Sequence, residues 1–327
     1  MRKLSLGVRT LAAVTLCAGF AAGAQAQTVQ VALGDVLSLE SLAFAIALER
    51  AKDKGFDYKL TSFSKEDLAI QAVVSGQAQI GGATPFSVMQ KSRAPIRGVF
   101  QMTRLVFFPV TDKAAYPDWK SLNGQPFTFH ARGSGTEAIG NILAKRNGIE
   151  FGQRNYVPGS ENRVVAMLNG QIKATIVDLA NKNLLMQRGG DRFHALPGHD
   201  SPATDEMLFV RQDWAEKNAA TLDMVVEEFY RLWTQMAKDP SIIDEERKKR
   251  GLLKDLPAEV TNNTTAFYTQ GVKEGVYSKS GGDEASARAD FEFYVEAGQL
   301  TGPAASLKVE DFWNFAPLAK AKAKVGS

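Results

Sequence analysis

Phe129-His130-Ala131-Arg132-Gly133-Ser134-Gly135-Thr136-Glu137-Ala138-Ile139-Gly140 reads as the end of a strand, a glycine-rich turn and the first turn of a helix. Pro126-Phe127-Thr128-Phe129 is a β-favouring apolar run that follows the turn signal Asn123-Gly124. Ser134, with Glu137 three residues on, makes a capping box. Ala138, Ile139, Ile142 and Leu143 then recur at helical spacing, and Gly148 ends the run. A helix start leaves N–H groups unpaired and presents the positive end of its dipole. Glycines on either side of Ser134 let a ligand approach the backbone. The pattern offers a seat for an anion or a polar head, and it is equally the pattern of a tight βα turn. It lacks a P-loop lysine and does not match G-x-G-x-x-G, so it gives no support for nucleotide binding.

Outward from this stretch, strands and helices alternate on both sides. Toward the N-terminus, Val29 to Leu33 is a strand and Ser38 caps a helix bearing Leu39, Leu42, Ala43, Ile46 and Ala47 on one face. Tyr58 to Ser62 is a second strand, and Ser64 to Asp67 caps a short helix ending at Gly76. Gln79 to Gly82 is a buried strand, followed by Thr84 as N-cap and Pro85 at the first helical position. Arg97 to Thr103 and Leu105 to Val110 are further strands. Toward the C-terminus come strands at Asn155 to Val157, Ala174 to Asp178 and Met207 to Val210. Leu222, Val225, Val226, Phe229, Trp233 and Met236 then mark a long amphipathic helix. The alternation predicts parallel α/β sheets. The chain also repeats itself: Ala72-Val73-Val74-Ser75-Gly76-Gln77 matches Ala166-Met167-Leu168-Asn169-Gly170-Gln171. Each copy is a helix end, a glycine cap and a Gln before a strand, which predicts two lobes of similar topology.

Residues 1–26 read as a secretory leader. Arg2, Lys3 and Arg9 precede an apolar run, and Ala24-Gln25-Ala26 is an A-x-A cleavage site before Gln27. Leu16 before Cys17 is not the small residue a lipoprotein signal wants. The single cysteine leaves with the leader, so the mature chain is expected to have no disulfide, thiolate metal site or cysteine nucleophile. Losing Arg2, Lys3 and Arg9 also cancels the formal net charge of +3, and nothing in the charge pattern suggests nucleic-acid binding. His130, His194 and His199 show no metal spacing, and no G-x-S-x-G elbow appears. Asp178 ends a buried strand, where it contacts ligand or simply caps a turn. Phe107 and Phe108 line a cleft or pack in a core, and Arg104 and Arg132 are candidates for a ligand's anionic group.

Gln79-Ile80-Gly81-Gly82-Ala83-Thr84-Pro85, Ser121-Leu122-Asn123-Gly124, Arg132-Gly133-Ser134-Gly135-Thr136 and the run from Val164 to Asp178 come in an order that resembles the periplasmic substrate-binding proteins of nitrate/sulfonate/taurine-type ABC transporters, over most of residues 28–240. The resemblance implies an α/β, two-lobed periplasmic-binding-protein type II fold, related to thiamine-pyrimidine-synthase-like domains, with two crossover strands and ligand in the inter-lobe cleft. The chain then divides into a signal peptide (1–26), the first part of lobe one (27–110), lobe two (111–210), and a return to lobe one with C-terminal helices (211–327). Val110-Thr111 and Val210-Arg211 would be the crossovers. The expected ligand-binding residues are Leu37, Ser38, Leu39, Gly82, Ala83, Thr84, Phe86, Phe108, Arg132, Ser134, Gly135, Thr136 and Asp178, with no catalytic residue, metal or cofactor. The function implied is periplasmic binding of a small organic anion, sulfonate or carboxylate and aromatic in one version, for delivery to the permease and ATPase subunits of an importer. The alternatives are a thiamine-precursor pyrimidine ligand, a pyrimidine-synthase-like enzyme, or a periplasmic sensor. A monomer is expected, touching the membrane only through the permease. The family often shows Trp-Glu-Pro where this chain has Asp178-Leu179-Ala180, so ligand identity is not carried over.

Overall fold

A computed structural model describes residues 28–197 and 200–326; the leader, Cys17 and His199 lie outside them. Two sheets form, each flanked by helices. The first contains β1 (Val29–Leu33), β2 (Tyr58–Ser62), β3 (Ile80–Ala83), β4 (Ile96–Gln101) and β11 (Met207–Arg211), in the order β2-β1-β3-β11-β4. The second contains β5 (Arg104–Asp112), β6 (Phe127–Phe129), β7 (Arg154–Tyr156), β8 (Ala174–Asp178), β9 (Phe193–Ala195) and β10 (Asp200–Thr204). Its order is β10-β5-β8-β6-β7, with β9 also on β5. β1 pairs in parallel with β2 and β3, and β6 with β7 and β8. β11 and β5 run antiparallel to their neighbours, because each enters its sheet from the other lobe. This is the expected two-lobed α/β architecture with two crossovers.

The crossovers sit elsewhere than expected. β5 belongs wholly to the second sheet, so the outward crossing is Met102-Thr103 rather than Val110-Thr111. The return is Asp205-Glu206, between β10 and β11, rather than Val210-Arg211. The two crossings are bonded together: Met102 N and Thr103 N both donate to Glu206 O, and Asp205 N donates to Thr103 O. β5 and β11 each begin just after a crossing and lie in one sheet throughout, and a β-favouring run carries no mark of which sheet it joins.

Helices α1 (Leu42–Lys52), α2 (Glu66–Val74) and α3 (Phe86–Ser92) belong to lobe one; α4 (Gly135–Arg146), α5 (Ser160–Leu168) and α6 (Leu179–Gly189) belong to lobe two. After β11 come α7 (Gln212–Lys217), α8 (Ala219–Lys238), α9 (Ile242–Arg250), α10 (Ala258–Thr261), α11 (Thr264–Lys273), α12 (Glu284–Glu296) and α13 (Ala316–Val325). α8 is the amphipathic helix read from the sequence. All six of its apolar markers are buried, and Trp233 Nε1 reaches Met102 O at the crossover (2.8 Å). α12 does not belong to lobe one alone. Its Tyr294 ring meets Phe86 of lobe one at 4.6 Å, while Glu296 pairs with Arg146 of α4 and the backbone at Ala297 accepts from Asn141.

Several expected caps form differently. Ser38 does not start α1. Its Oγ accepts from Glu40 N, and Ser41 precedes the helix with its Oγ donating to Val36 O. Lys65, not Ser64, precedes α2. Pro85 holds the position before α3, because Thr84 Oγ1 is turned to Asp205 O (2.5 Å). No helix among the described residues is long and apolar enough to cross a membrane.

Candidate functional site

Each parallel strand ends by handing the chain to a helix, and in open α/β sheets ligands gather beyond those strand ends. Here the ends of β1, β3, β6 and β8, together with both crossovers, converge on one cleft. From lobe one come Asp35 after β1, Glu40 before α1, Glu66 opening α2 and Thr84 after β3. From lobe two come His130 after β6, Ser134, Gly135 and Thr136 at the start of α4, Ser160 and Arg163 on α5, and Asp178, Leu179 and Ala180 after β8. The crossovers add Thr103, Asp205 and Glu206, and the C-terminal segment adds Phe267 and Tyr277.

The glycine-rich turn is built as the sequence suggested, with one exchange of roles. Ser134 precedes α4 in an extended conformation but does not bond the helix; its Oγ donates to Ala131 O (2.7 Å). Glu137 does reach back, accepting from Gly133 N (2.7 Å). Thr136 Oγ1 accepts from His130 N (3.0 Å) and lies 3.1 Å from Ser134 Oγ. Gly135 has a steric reason to be glycine. A Cβ there would fall 2.4 Å from Leu105 and 2.5 Å from Asp205 Oδ1. The bare backbone lets the crossover carboxylate lie against the start of α4.

His130 is neutral. Its Nδ1 accepts from Gly159 N (3.2 Å), which puts the ring proton on Nε2, and the ring also hydrogen-bonds the Gly34 backbone of lobe one. Burial, with the nearby Arg163 charge, pushes its pKa down to about 3. Arg163 is 1% exposed and donates only to neutral acceptors: Nε to Ile176 O (3.1 Å), Nη1 to Val157 O (2.9 Å) and Nη2 to Ser160 Oγ (2.9 Å). The lobe-one carboxylates are shifted the other way. Desolvation raises Asp35 to about 6 and Glu66 to about 7. Glu40, Asp205 and Glu206 stand well above the ordinary carboxylate range, through burial first and mutual repulsion second.

Of the residues expected in the pocket, Thr84, Ser134, Gly135, Thr136 and Asp178 line the cleft. Asp178, expected either at the ligand or capping a turn, caps α6, accepting from Asn181 N (2.9 Å), and lies at the cleft wall. The others lie behind or beside it. Leu37, Ser38 and Leu39 form the loop before α1, and Leu39 O is occupied by the Tyr268 hydroxyl. Gly82 O takes Gly34 N, and Ala83 is fully buried. Phe86 is core, packed on Tyr294, Phe312 and Trp313. Phe108 faces away from the cleft, under the Lys182 ammonium (4.6 Å), because alternate side chains of a strand point to opposite faces; Phe107 is the one that lines it. Arg132 is exposed, stacked over Tyr156 at 5.3 Å. Missed altogether were Asp35, Glu40, Glu66, Arg163, Asp205 and Glu206. The available signal was positional: Glu66 opens α2, Asp205 directly follows β10 and Glu206 directly precedes β11, while Asp35, Glu40 and Arg163 lie near the end of β1, the start of α1 and the start of α5.

Among the described residues, no group of three or more His, Cys, Asp and Glu is arranged to hold a metal ion. What the cleft can do is enclose a small polar molecule between two lobes that share a bonded pair of crossings.

Comparison with known proteins agrees with this geometry. The ligand-binding component of an ABC-type import system from Staphylococcus aureus superposes with a TM-score of 0.66 at 14% identity, covering 90% of this chain and 99% of that one. The periplasmic nitrate-binding protein NrtA from Synechocystis PCC 6803 gives 0.65 at 13%, covering 91% and 89%. The alkanesulfonate-binding protein SsuA from Xanthomonas axonopodis pv. citri gives 0.60 at 15%, covering 88% and 98%. At these identities the likeness is one of fold. No curated protein sequence matches the chain. The family described as NMT1/THI5 like matches residues 51–242, which run from α1 through both lobes to the start of α9, and the chain belongs to that family.

Proposed function

We propose that the protein is the solute-binding component of an ABC importer, holding a small polar organic molecule in the inter-lobe cleft and delivering it to permease and ATPase subunits. One observation carries this: a single lining is drawn from both lobes and both crossovers. A molecule that touches all of them favours the closed arrangement by its differential affinity. The Staphylococcus, Synechocystis and Xanthomonas proteins, all described as binding proteins or components, support the reading. The leader-like residues 1–26 support export to the periplasm. The chain is proposed to be a monomer that binds and releases its ligand unchanged. Turnover of a bound compound by the purified mature protein would overturn that part.

The expected organic anion, sulfonate or carboxylate, is supported by one side of the cleft: the starts of α4 and α5 and the buried Arg163 guanidinium. A pyrimidine of the thiamine-precursor kind is supported by the other side, whose carboxylates suit ring amino groups. Thermal shift against sulfonates, aromatic carboxylates and pyrimidines tests the function. At least one compound should raise the melting temperature, and Phe107→Ala should reduce that rise. A flat response across the panel would count against solute binding.

A further inference from the structure

The cleft consists of two adjoining hollows that share Glu40, Phe107, Asp205 and Glu206. The first is completed by Asp178, Phe267 and Tyr277, and its lining contains no Arg, Lys or His. The second is completed by Asp35, Glu66, His130 and Arg163. None of these carboxylates forms an ion pair within the described residues. Asp35 is 5% exposed, and its Oδ1 takes Val36 N (2.7 Å) while no described residue bonds its Oδ2. The carboxylates of Glu40 and Glu206 accept no hydrogen bond from any described residue either. The one guanidinium, Arg163, gives three of its five N–H groups to neutral oxygens and none to a carboxylate.

Asp35 is buried and Glu40, Asp205 and Glu206 are half-buried. Gathering partly desolvated carboxylates without a counter-charge is unfavourable, and a cleft that does so suits a positive charge that arrives from outside. Phe107, Phe267 and Tyr277 border the same hollow, and aromatic faces attract cations. An anion placed there would meet Glu40, Asp178, Asp205 and Glu206 at close range. We infer that the cleft takes an organic cation, a protonated amine, amidine or guanidinium, with its charge among Asp35, Glu40, Asp205 and Glu206 and its carbon skeleton beside Phe107, Phe267 and Tyr277. The inference rests on the reading of the cleft as a solute site and reverses the sign of the ligand expected from resemblance. The raised carboxylate pKa values agree with it, since desolvation and neighbouring negative charges both favour positive charge, as a proton or another cation, at these groups. The other charged groups facing the cluster are Glu66, Glu161, Asp178 and Arg163, with His130 neutral.

Benzamidinium and benzoate share a planar outline and carry opposite charge, so they separate sign from shape. The full mature chain is tested by thermal shift and calorimetry against benzamidinium and tetramethylammonium, and against benzoate and benzenesulfonate. The cations should raise the melting temperature and the anions should not. Benzamidinium affinity should also rise severalfold from pH 5 to pH 8, as the carboxylates give up their protons. Glu206→Gln should weaken benzamidinium binding about tenfold or more while leaving the free protein equally or more heat-stable. Asp35→Asn provides a second variant with the same expectation for affinity. Stabilisation by the anions alone overturns the cationic class and leaves solute binding standing. Silence from both pairs, with a neutral pyrimidine binding, overturns the class in the same way. Silence from all of them overturns both readings. A Glu206→Gln protein that binds benzamidinium at unchanged strength overturns the placement.

Discussion

Phe107 and Phe108 are neighbours on β5 with opposite surroundings, one in the cleft and one under Lys182. Phe107→Ala should weaken benzamidinium binding by about tenfold, while Phe108→Ala should leave it within about twofold. Equal losses in calorimetry would refute the assignment. Thr136 shows how a contact changes an experiment. Its hydroxyl accepts the His130 N–H, so Thr136→Ala leaves a half-buried donor unpaired and should cost about 1–2 kcal/mol of stability in denaturant titration, whatever it does to binding. The glycine-rich turn was legible because glycine, serine and a glutamate three residues on have local meanings. The cleft carboxylates were not. Asp35 or Glu206 reads as a solvated charge until the far lobe is placed over it, and that burial is set by residues some 100 or more positions away.

At the scale of elements, the repeat gave the fold its clearest local signature. Gly76 and Gly170 both take left-handed backbone, with φ of 83° and 73°. Their N–H groups close the ends of α2 and α5 on Val73 O and Met167 O. Gly76→Ala and Gly170→Ala should each destabilise the protein by about 1 kcal/mol, measured by chemical denaturation. Gly76 should suffer more, since Arg211 Nη1 stands 3.2 Å from where its Cβ would go. The straddling of α12 had no such signature. Its apolar residues announce a packed helix, but Tyr294 on Phe86 and Glu296 on Arg146 join it to different lobes through contacts that no periodicity encodes. Lobe boundaries drawn from the sequence missed the crossovers for the same reason: strand propensity says that β5 and β11 are strands, not which neighbours they pair with.

For the whole molecule, the buried acids set the response to pH. Asp35, Glu66 and Asp290 have folded-state pKa values raised to about 6, 7 and 7. The folded protein keeps these protons where the unfolded chain has released them, so stability falls as pH rises from about 4 to about 7. His130, held neutral with a pKa near 3, acts oppositely between about pH 3 and 6.5, because there the unfolded chain binds the extra proton. The acids outnumber it, and Glu40, Asp205 and Glu206 add to their side. Below about pH 4 the surface acids with lowered pKa values, such as Asp53, Asp213 and Asp244, lose their partners' help. The ligand-free protein should therefore melt highest near pH 5 and several degrees lower at pH 8. A maximum at or above pH 8 would show that the acids are solvated.

The bond from Trp233 to the crossover gives the molecule an optical reporter. The indole N–H of a buried residue donates to Met102 O, on the segment about which the lobes would turn. Indole emission follows the dipoles and the solvent around the ring. Reorientation of that one carbonyl, or entry of water beside it, would change the colour and intensity of Trp233 fluorescence. With Trp119, Trp214 and Trp313 replaced by phenylalanine, lobe closure on solute binding becomes a change in emitted light, readable in a stopped-flow cuvette without any attached dye.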